Sequence, residues 1–270
     1  MSKRIKISAV SYLNTLPFLY GIKNSGALND FDFELDMPSI CARKLIENEV
    51  DIALIPVAAI PYLKNPYFIS DYCLGTKNKV RTVLLLSDVP LHEIKSVLLD
   101  YQSRTSVNLV KVLAAKYWKI APKWIDASQG FETKIKNSTA GVVIGDRAFS
   151  LQKEFKFVFD LSEEWYKMNQ LPFVFATWVA NKPIEKEFIR NLNQALKFGL
   201  DHIDDVIYEF YINFPNSEID LRHYYTQNID FRLDKEKKIS MKIFYDYLRD
   251  LELIPDKIIN KNWKALMTNF

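Results

Sequence analysis

The chain has 270 residues, of which 49% are hydrophobic and 26% are charged. This composition is typical of a folded globular protein and excludes an intrinsically disordered chain. The 36 basic and 33 acidic residues leave a net charge of +3, which is too small to indicate a nucleic-acid partner.

Predicted strands and helices alternate from the N-terminus. Residues 5–10 alternate between apolar and polar side chains, as a strand does, and the next turn leads into a helix that begins near Pro17. Ser39 is placed to cap a second helix that runs to about Asn48. Further strands are predicted at residues 31–35, 51–57, 80–87, 97–99, 124–126, 140–144 and 171–180. Further helices are predicted at residues 107–118 and 131–136, after Asp146, and from Phe188 to the end of the chain.

The segment from residue 97 to residue 118 contains a candidate anion site. A short buried strand is followed by a polar turn and then by a helix, and Ser103 or Thr105 can cap that helix. The first helical turn offers unpaired backbone N–H groups, and Arg104 and Ser106 lie beside it. A site for a carboxylate or phosphate therefore competes with the simpler interpretation, an ordinary capped helix.

The order of these elements predicts an α/β fold with a mainly parallel sheet. Two long apolar strands, at residues 80–87 and 171–180, divide the pattern into two lobes joined by a double crossover. The first lobe is predicted to hold residues 1–86 and 176–270, including a helical C-terminal segment, and the second residues 87–175. Polar turns at residues 11–15, 56–59, 103–106 and 145–146 follow strands, so we expect them to meet at an interlobe cleft.

The two cysteines, Cys41 and Cys73, have no paired spacing. They suit a reducing compartment and exclude a disulfide framework or a cysteine-based zinc site. The apolar stretch near the N-terminus is too short for a secretory signal, and no apolar run approaches membrane-spanning length. We therefore expect a cytoplasmic protein with no membrane partner.

Five short stretches of the chain, taken together, carry a family resemblance. They are SYLNTLPF at residues 11–18, DIALIPV at 51–57, SRTS at 103–106, IGD at 144–146 and LPFVFATW at 171–178. This set resembles the chorismate dehydratases of menaquinone biosynthesis. The resemblance implies the two-lobed type II periplasmic-binding-protein fold. It also implies a lyase that opens the futalosine route by dehydrating chorismate to 3-[(1-carboxyvinyl)oxy]benzoate. Residues 181–270 carry no matching motif.

The implied reaction needs no redox cofactor and no metal, because loss of a ring hydrogen and the neighbouring hydroxyl aromatises the ring. The resemblance places Asn14 and Thr82 against the departing hydroxyl. Because an amide is a poor base, the enolpyruvyl carboxylate of the substrate is expected to accept the proton. The substrate, a small dicarboxylate, is expected to contact residues near the predicted cleft: Ser11, Tyr12, Ser103, Arg104, Thr105, Ser106, Asp146 and Phe173.

Simpler structural roles compete with these assignments. Asn14 is by default a turn residue, and Thr82 is favoured in a strand by its β propensity. Thr82 also departs from the family pattern, in which many members have a serine preceded by Gly-Pro-Val. Asp146 is expected rather to cap the next helix, and Phe173 to lie in the core with a wall of the cleft as its alternative role.

The positions of the histidines help to distinguish between related functions. The dihydroxynaphthoate synthases share this fold and pathway but use a catalytic histidine. His92, His202 and His223 do not follow predicted strands at the cleft, which favours the dehydratase and also argues against a metal site. The other alternative is a non-catalytic protein that binds a small carboxylate, because a fold does not determine a function.

Overall fold

The computed structural model describes residues 4–255 and residue 258. The described strands form one sheet of six strands, the first sheet, and one of five strands, the second sheet. In chain order the strands are β1 (Ile5–Val10), β2 (Phe31–Asp36), β3 (Ile52–Pro56), β4 (Tyr67–Thr76), β5 (Val83–Ser87), β6 (Ser96–Leu99), β7 (Lys123–Asp126), β8 (Thr139–Ile144), β9 (Phe157–Asp160), β10 (Phe173–Ala180) and β11 (Asp230–Arg232).

Helices pack around both sheets. They are α1 (Leu16–Asn24), α2 (Pro38–Ile46), α3 (Thr105–Val112), α4 (Ala148–Leu151), α5 (Leu161–Asn169), α6 (Lys186–Asp201), α7 (Ile203–Asn213), α8 (Leu221–His223) and α9 (Lys235–Asp250). Helix α3 continues into the π-helical turn Leu113–Trp118, and α8 into the π-helical turn Tyr224–Asn228. No helix among the described residues has the length and hydropathy needed to cross a bilayer.

The prediction of parallel strands is correct for only part of each sheet. The first sheet has the order β11-β4-β10-β3-β1-β2, with β1 parallel to β2 and β3 and with β10 antiparallel to β3 and β4. The second has the order β7-β6-β8-β5-β9, with β6 parallel to β7 and β8 and with β5 antiparallel to β8 and β9. The antiparallel strands β5 and β10 each enter a sheet from the other sheet, β5 directly after β4 and β10 after β9 and α5.

Strand pairing differs from the predicted lobe boundaries at both crossovers. Residues 83–86 pair within the second sheet, although they were assigned to the first lobe. Residues 173 and 174 pair with β4 in the first sheet, although they were assigned to the second lobe. The division into residues 1–86 plus 176–270 and residues 87–175 stays a prediction, and its residues 1–3, 256–257 and 259–270 lie outside the described part of the chain.

Three local predictions are wrong. Ser39 does not cap α2, because Met37 occupies the cap position and Pro38 begins the helix. The helix predicted at residues 131–136 is a single 3-10 turn, Phe131–Lys134. Thr82 lies in the bend just before β5 rather than in the strand. The helix predicted near Pro17 is confirmed, with Pro17 in its first turn.

One apolar core extends through both sheets. It joins Phe18 beside the first sheet, Trp165 in α5 and Ile144 at the end of β8. Helices α1 and α6 contribute a close backbone contact to it, since a methyl group added at Gly199 would lie 1.7 Å from the carbonyl oxygen of Pro17. This contact fixes the helix that directly follows residues 11–15, the first of the polar turns predicted at the cleft.

Candidate active site

A pocket lies between the two sheets, at the carboxyl ends of β1, β3 and β8. Its apolar wall consists of Val10, Pro38, Pro56, Leu74, Val80, Val83, Ile144, Phe175, Ala176 and Ile229, with the backbone of Gly145. Its polar side chains are Tyr12, Asn14, Thr82, Ser103, Thr105 and Ser106. The described side chains that line it are therefore uncharged, and six of the ten predicted site residues are among them.

Asn14 lies in the 3-10 turn Leu13–Thr15 that connects β1 to α1. The hydroxyl of Thr15, which is fully buried, donates to Asn14 Oδ1 at 3.1 Å. The Tyr225 hydroxyl donates to the carbonyl oxygen of Leu13 at 2.8 Å and holds the same turn from the other side. These contacts place the Asn14 side chain at the pocket in a fixed orientation.

Thr82 is 2% exposed and reaches the pocket from the crossover between β4 and β5. Its Oγ1 lies 2.9 Å from the hydroxyl oxygen of Tyr224 and 3.4 Å from the carbonyl oxygen of Val80. The preceding residue, Arg81, has a positive φ of 65° and donates its backbone N–H to Asp160 Oδ2 at 2.7 Å. A non-glycine residue in this conformation is held by its surroundings, so the position of Thr82 is well determined.

The N-terminus of α3, where the sequence predicts an anion site, lies at the pocket. Ser103 Oγ accepts the backbone N–H of Ser106 at 3.0 Å, so Ser103 rather than Thr105 bonds this helix end, while Arg104 occupies the cap position. The Thr105 hydroxyl donates to the carbonyl oxygen of Phe175 at 3.1 Å and accepts the backbone N–H of Ala58 at 3.2 Å. Thr105 therefore fixes the helix against β10 and the turn after β3. Ser103 and Ser106 are the other two hydroxyl residues of this helix end that line the pocket.

Four predicted site residues lie elsewhere. Arg104 places its guanidinium over the ring of Tyr62, 5.9 Å from the centroid. Ser11 is exposed and lines an adjacent groove. Asp146 lies in the same groove and does not cap α4, because its carboxylate faces the first sheet.

Phe173, the fourth, is 1% exposed and packs in the core, with its ring 5.1 Å from that of Trp165. Phe175 forms the aromatic wall of the pocket instead. The register of β10 shifts between Val174 and Ala176, and a bulge of this kind turns a side chain away from its regular direction. Sequence alternation places residues 173 and 175 on one face and does not reveal the bulge.

Two contacts connect the sheets beside the pocket. The carboxylate of Asp146, after β8, accepts the backbone N–H of Leu13, after β1, at 3.2 and 3.3 Å. The Tyr12 hydroxyl donates to Gln102 Oε1. Burial raises the pKa of Asp146 to about 6, and it raises the pKa of Tyr12 well above its usual value, with a further increase from Asp100.

Gly145 allows the ring of Tyr12 to approach the end of β8 closely. Its φ is 76°, and a methyl group on it would lie 3.0 Å from the ring of Tyr12. A larger residue would therefore be strained and would push Tyr12 away.

Charged side chains in the turn before α3 and in the segment after β8 pair with one another. Arg147 pairs with Asp100 and Glu132. Asp100 also accepts the backbone N–H groups of Gln102 and Ile144, each at 3.0 Å. This network joins the turn before α3 to the end of β8.

None of the three histidines, all of which are described, lines the pocket. His202 stacks on Phe198 with ring centroids 3.9 Å apart, while His92 and His223 are exposed. The prediction that none of them faces the cleft is confirmed. Among the described residues, no group of three or more His, Cys, Asp and Glu side chains is arranged to hold a metal ion.

Known proteins similar to this chain share its sequence pattern and its fold. A family model described as "Menaquinone biosynthesis" matches residues 5–250. A chorismate dehydratase from Thermus thermophilus is 26% identical over 260 residues, which cover 88% of this chain and 92% of that protein.

Solved structures confirm the predicted fold. A crystal structure of an Archaeoglobus fulgidus protein has a TM-score of 0.73 at 13% identity, covering 94% of this chain and 99% of that one. The periplasmic aliphatic sulphonate binding protein SsuA from Escherichia coli has a TM-score of 0.61 at 15% identity, covering 95% and 90%. The two-lobed periplasmic-binding-protein-like architecture with a helical C-terminal region is thus correct.

Proposed function

The chain belongs to the menaquinone biosynthesis family, and on that premise we propose that it is a chorismate dehydratase, a carbon–oxygen lyase. The observation that carries the proposal is the convergence of Asn14, Thr82, Ser103 and Ser106 on one uncharged pocket between the two sheets. Chorismate is a dianion, and N–H and O–H donors in a pocket of low dielectric bind carboxylates strongly. The proposal includes a small dicarboxylate substrate and a cytoplasmic location.

In the proposed reaction, Ser103, Ser106 and the first turn of α3 hold one carboxylate of the substrate. The hydrogen on the ring carbon that bears the enolpyruvyl ether leaves as a proton to the substrate's own enolpyruvyl carboxylate. The electron pair of that C–H bond forms the new ring double bond, and the neighbouring C–O bond breaks. The departing hydroxyl takes up the proton now held by the enolpyruvyl carboxylate and leaves as water, while Asn14 and Thr82 stabilise the negative charge that develops on its oxygen.

The pocket's contribution is therefore orientation and hydrogen bonding. Alignment of the carboxylate with the ring hydrogen makes proton transfer intramolecular, which lowers the entropic part of the barrier. The contacts of Asp146 and Tyr12 between the sheets exclude water and strengthen each hydrogen bond to the substrate.

The direct test is to incubate the purified protein with chorismate alone and to follow the aromatic product by liquid chromatography and absorbance. The expected result is conversion by the wild type and its loss in Asn14→Leu, which keeps the side chain's size but removes its polar groups. Conversion that is equal in both proteins would remove Asn14 from the site. Chorismate that is bound but unchanged over hours would refute the enzyme and favour the alternative, a carboxylate-binding protein of the kind that the fold also serves.

A further inference from the structure

Tyr224, in the helical region where the sequence shows no motif, contacts Thr82, one of the two proposed catalytic side chains. It is 0% exposed and begins the π-helical turn after α8. Its hydroxyl oxygen lies 2.9 Å from Thr82 Oγ1. Tyr224 is not among the residues that line the pocket, so it reaches the substrate only through a neighbour such as Thr82.

The surrounding contacts fix the phenol ring. The ring of Phe149 meets it edge-on with centroids 5.0 Å apart. Asn228, at the end of the same π-helical turn, donates to the carbonyl oxygen of Lys79 at 3.1 Å and so ties the turn to the crossover that carries Thr82. A rigid donor of this kind can set the direction in which its partners point.

The contacts of the Thr82 hydroxyl leave its proton available to a substrate. Burial raises the pKa of Tyr224 far above its usual value, so the phenol stays protonated, and Thr82 Oγ1 can accept its proton at 2.9 Å. The Thr82 proton is then left with the carbonyl oxygen of Val80, 3.4 Å away, which is a long contact that a substrate hydroxyl can replace.

We propose that Tyr224 is a positioning residue that holds Thr82 with its donor directed at the departing hydroxyl of the substrate. The inference rests on the proposed dehydration and adds a residue from the C-terminal helical region to its machinery. Without the phenol hydroxyl, Thr82 Oγ1 loses a partner, and the Thr82 side chain can rotate away from the reacting geometry.

The test is steady-state kinetics of Tyr224→Phe, which retains the ring and its contact with Phe149. We expect kcat to fall about tenfold to a hundredfold while KM changes less than about twofold, because misplaced donors affect the transition state more than ground-state binding. The matched control is Tyr245→Phe. Tyr245 is also fully buried and donates its hydroxyl to the carbonyl oxygen of Val57 at 3.0 Å, so the control loses a comparable buried hydrogen bond. Its kcat should equal that of the wild type.

A double-mutant cycle with Thr82→Val separates positioning from a general loss of stability. If Tyr224 acts through Thr82, Tyr224→Phe should change kcat less than about twofold in the Thr82→Val background. A wild-type kcat in Tyr224→Phe, an equal loss in Tyr245→Phe, or fully additive losses in the cycle would each overturn the inference. Those results leave the dehydratase intact, whereas a wild-type protein that does not convert chorismate overturns the function and the inference together.

Discussion

Asp146 connects the two sheets through one hydrogen bond, and its ionisation should make stability depend on pH. The carboxylate accepts the Leu13 backbone N–H at 3.2 and 3.3 Å. Burial raises the pKa of Asp146 from 3.8 to about 6, and the bond from Leu13 opposes that increase only in part. The chosen perturbation is Asp146→Asn, which has nearly the same shape and still presents an oxygen to Leu13 but cannot ionise.

The sign follows from the raised pKa. Below about pH 4 the carboxyl is protonated in both the folded and the unfolded chain. Between about pH 4 and 6 the unfolded chain loses this proton while the folded chain keeps it, so the free energy of unfolding falls. A pKa change from 3.8 to about 6 corresponds to a loss of about 2–3 kcal/mol, after a discount for the partial exposure of the side chain. Asp146→Asn avoids that loss.

Urea denaturation of the wild type and Asp146→Asn between pH 4 and pH 8 measures the effect. We expect the variant's advantage to be near zero at pH 4, to grow through pH 6 and then to level off. Asp88→Asn is the matched control, because Asp88 also accepts one backbone N–H, that of Asn137 at 2.9 Å, but is exposed. A difference between Asp146→Asn and the wild type that stays constant across this range would show that Asp146 does not keep its proton on folding.

Changes at three positions test the pocket itself. Asn14→Asp should retain appreciable turnover, because it still presents an oxygen to the departing hydroxyl, whereas Asn14→Ala should lose most of kcat; steady-state rates decide between these outcomes. Ser106→Ala should raise KM by roughly tenfold to a hundredfold with little change in melting temperature, since a hydrogen bond to a charged group contributes about 1.5–3 kcal/mol; a lowered melting temperature with unchanged KM would show that Ser106 is only structural. Gly145→Ala should lower the melting temperature more than Gly130→Ala, because both have positive φ but only the methyl at Gly145 would meet Tyr12, at 3.0 Å; equal losses would refute the steric argument.

The parts of the site that sequence could predict are local. The turn at residues 11–15, between β1 and α1, and the start of α3 each combine a strand end with helix-cap residues, and both lie at the pocket. Such signals need only a few adjacent residues, because capping and strand alternation act within one or two turns of chain. The choice of Ser103 over Thr105 as the hydroxyl that bonds the start of α3 was not predictable. It depends on the carbonyl oxygen of Phe175, which lies far along the sequence.

The parts that sequence could not predict depend on distant segments. Two features were missed. Strand β4 leads from the first sheet to the crossover, and Tyr224 contacts Thr82. Tyr224 lies 142 residues from Thr82, and a tyrosine in a helical stretch has no local feature that marks it as a partner of a remote hydroxyl. Phe175 was missed for a similar reason, since the shift in the register of β10 arises from pairing with β4.

The uncharged lining of the pocket connects closure to chemistry. Described side chains at the pocket offer hydroxyls and an amide, while Arg104 and Arg147 lie against Tyr62 and Asp100 instead. Hydrogen-bond dipoles bind an anion weakly in water and much more strongly when water is excluded. A cationic side chain would bind both carboxylates of chorismate in an open cleft, and it would also hold the enolpyruvyl carboxylate too firmly for that group to accept a proton. A neutral pocket between the sheets would avoid this competition, because it would bind the dianion through dipoles and leave one carboxylate basic enough to react.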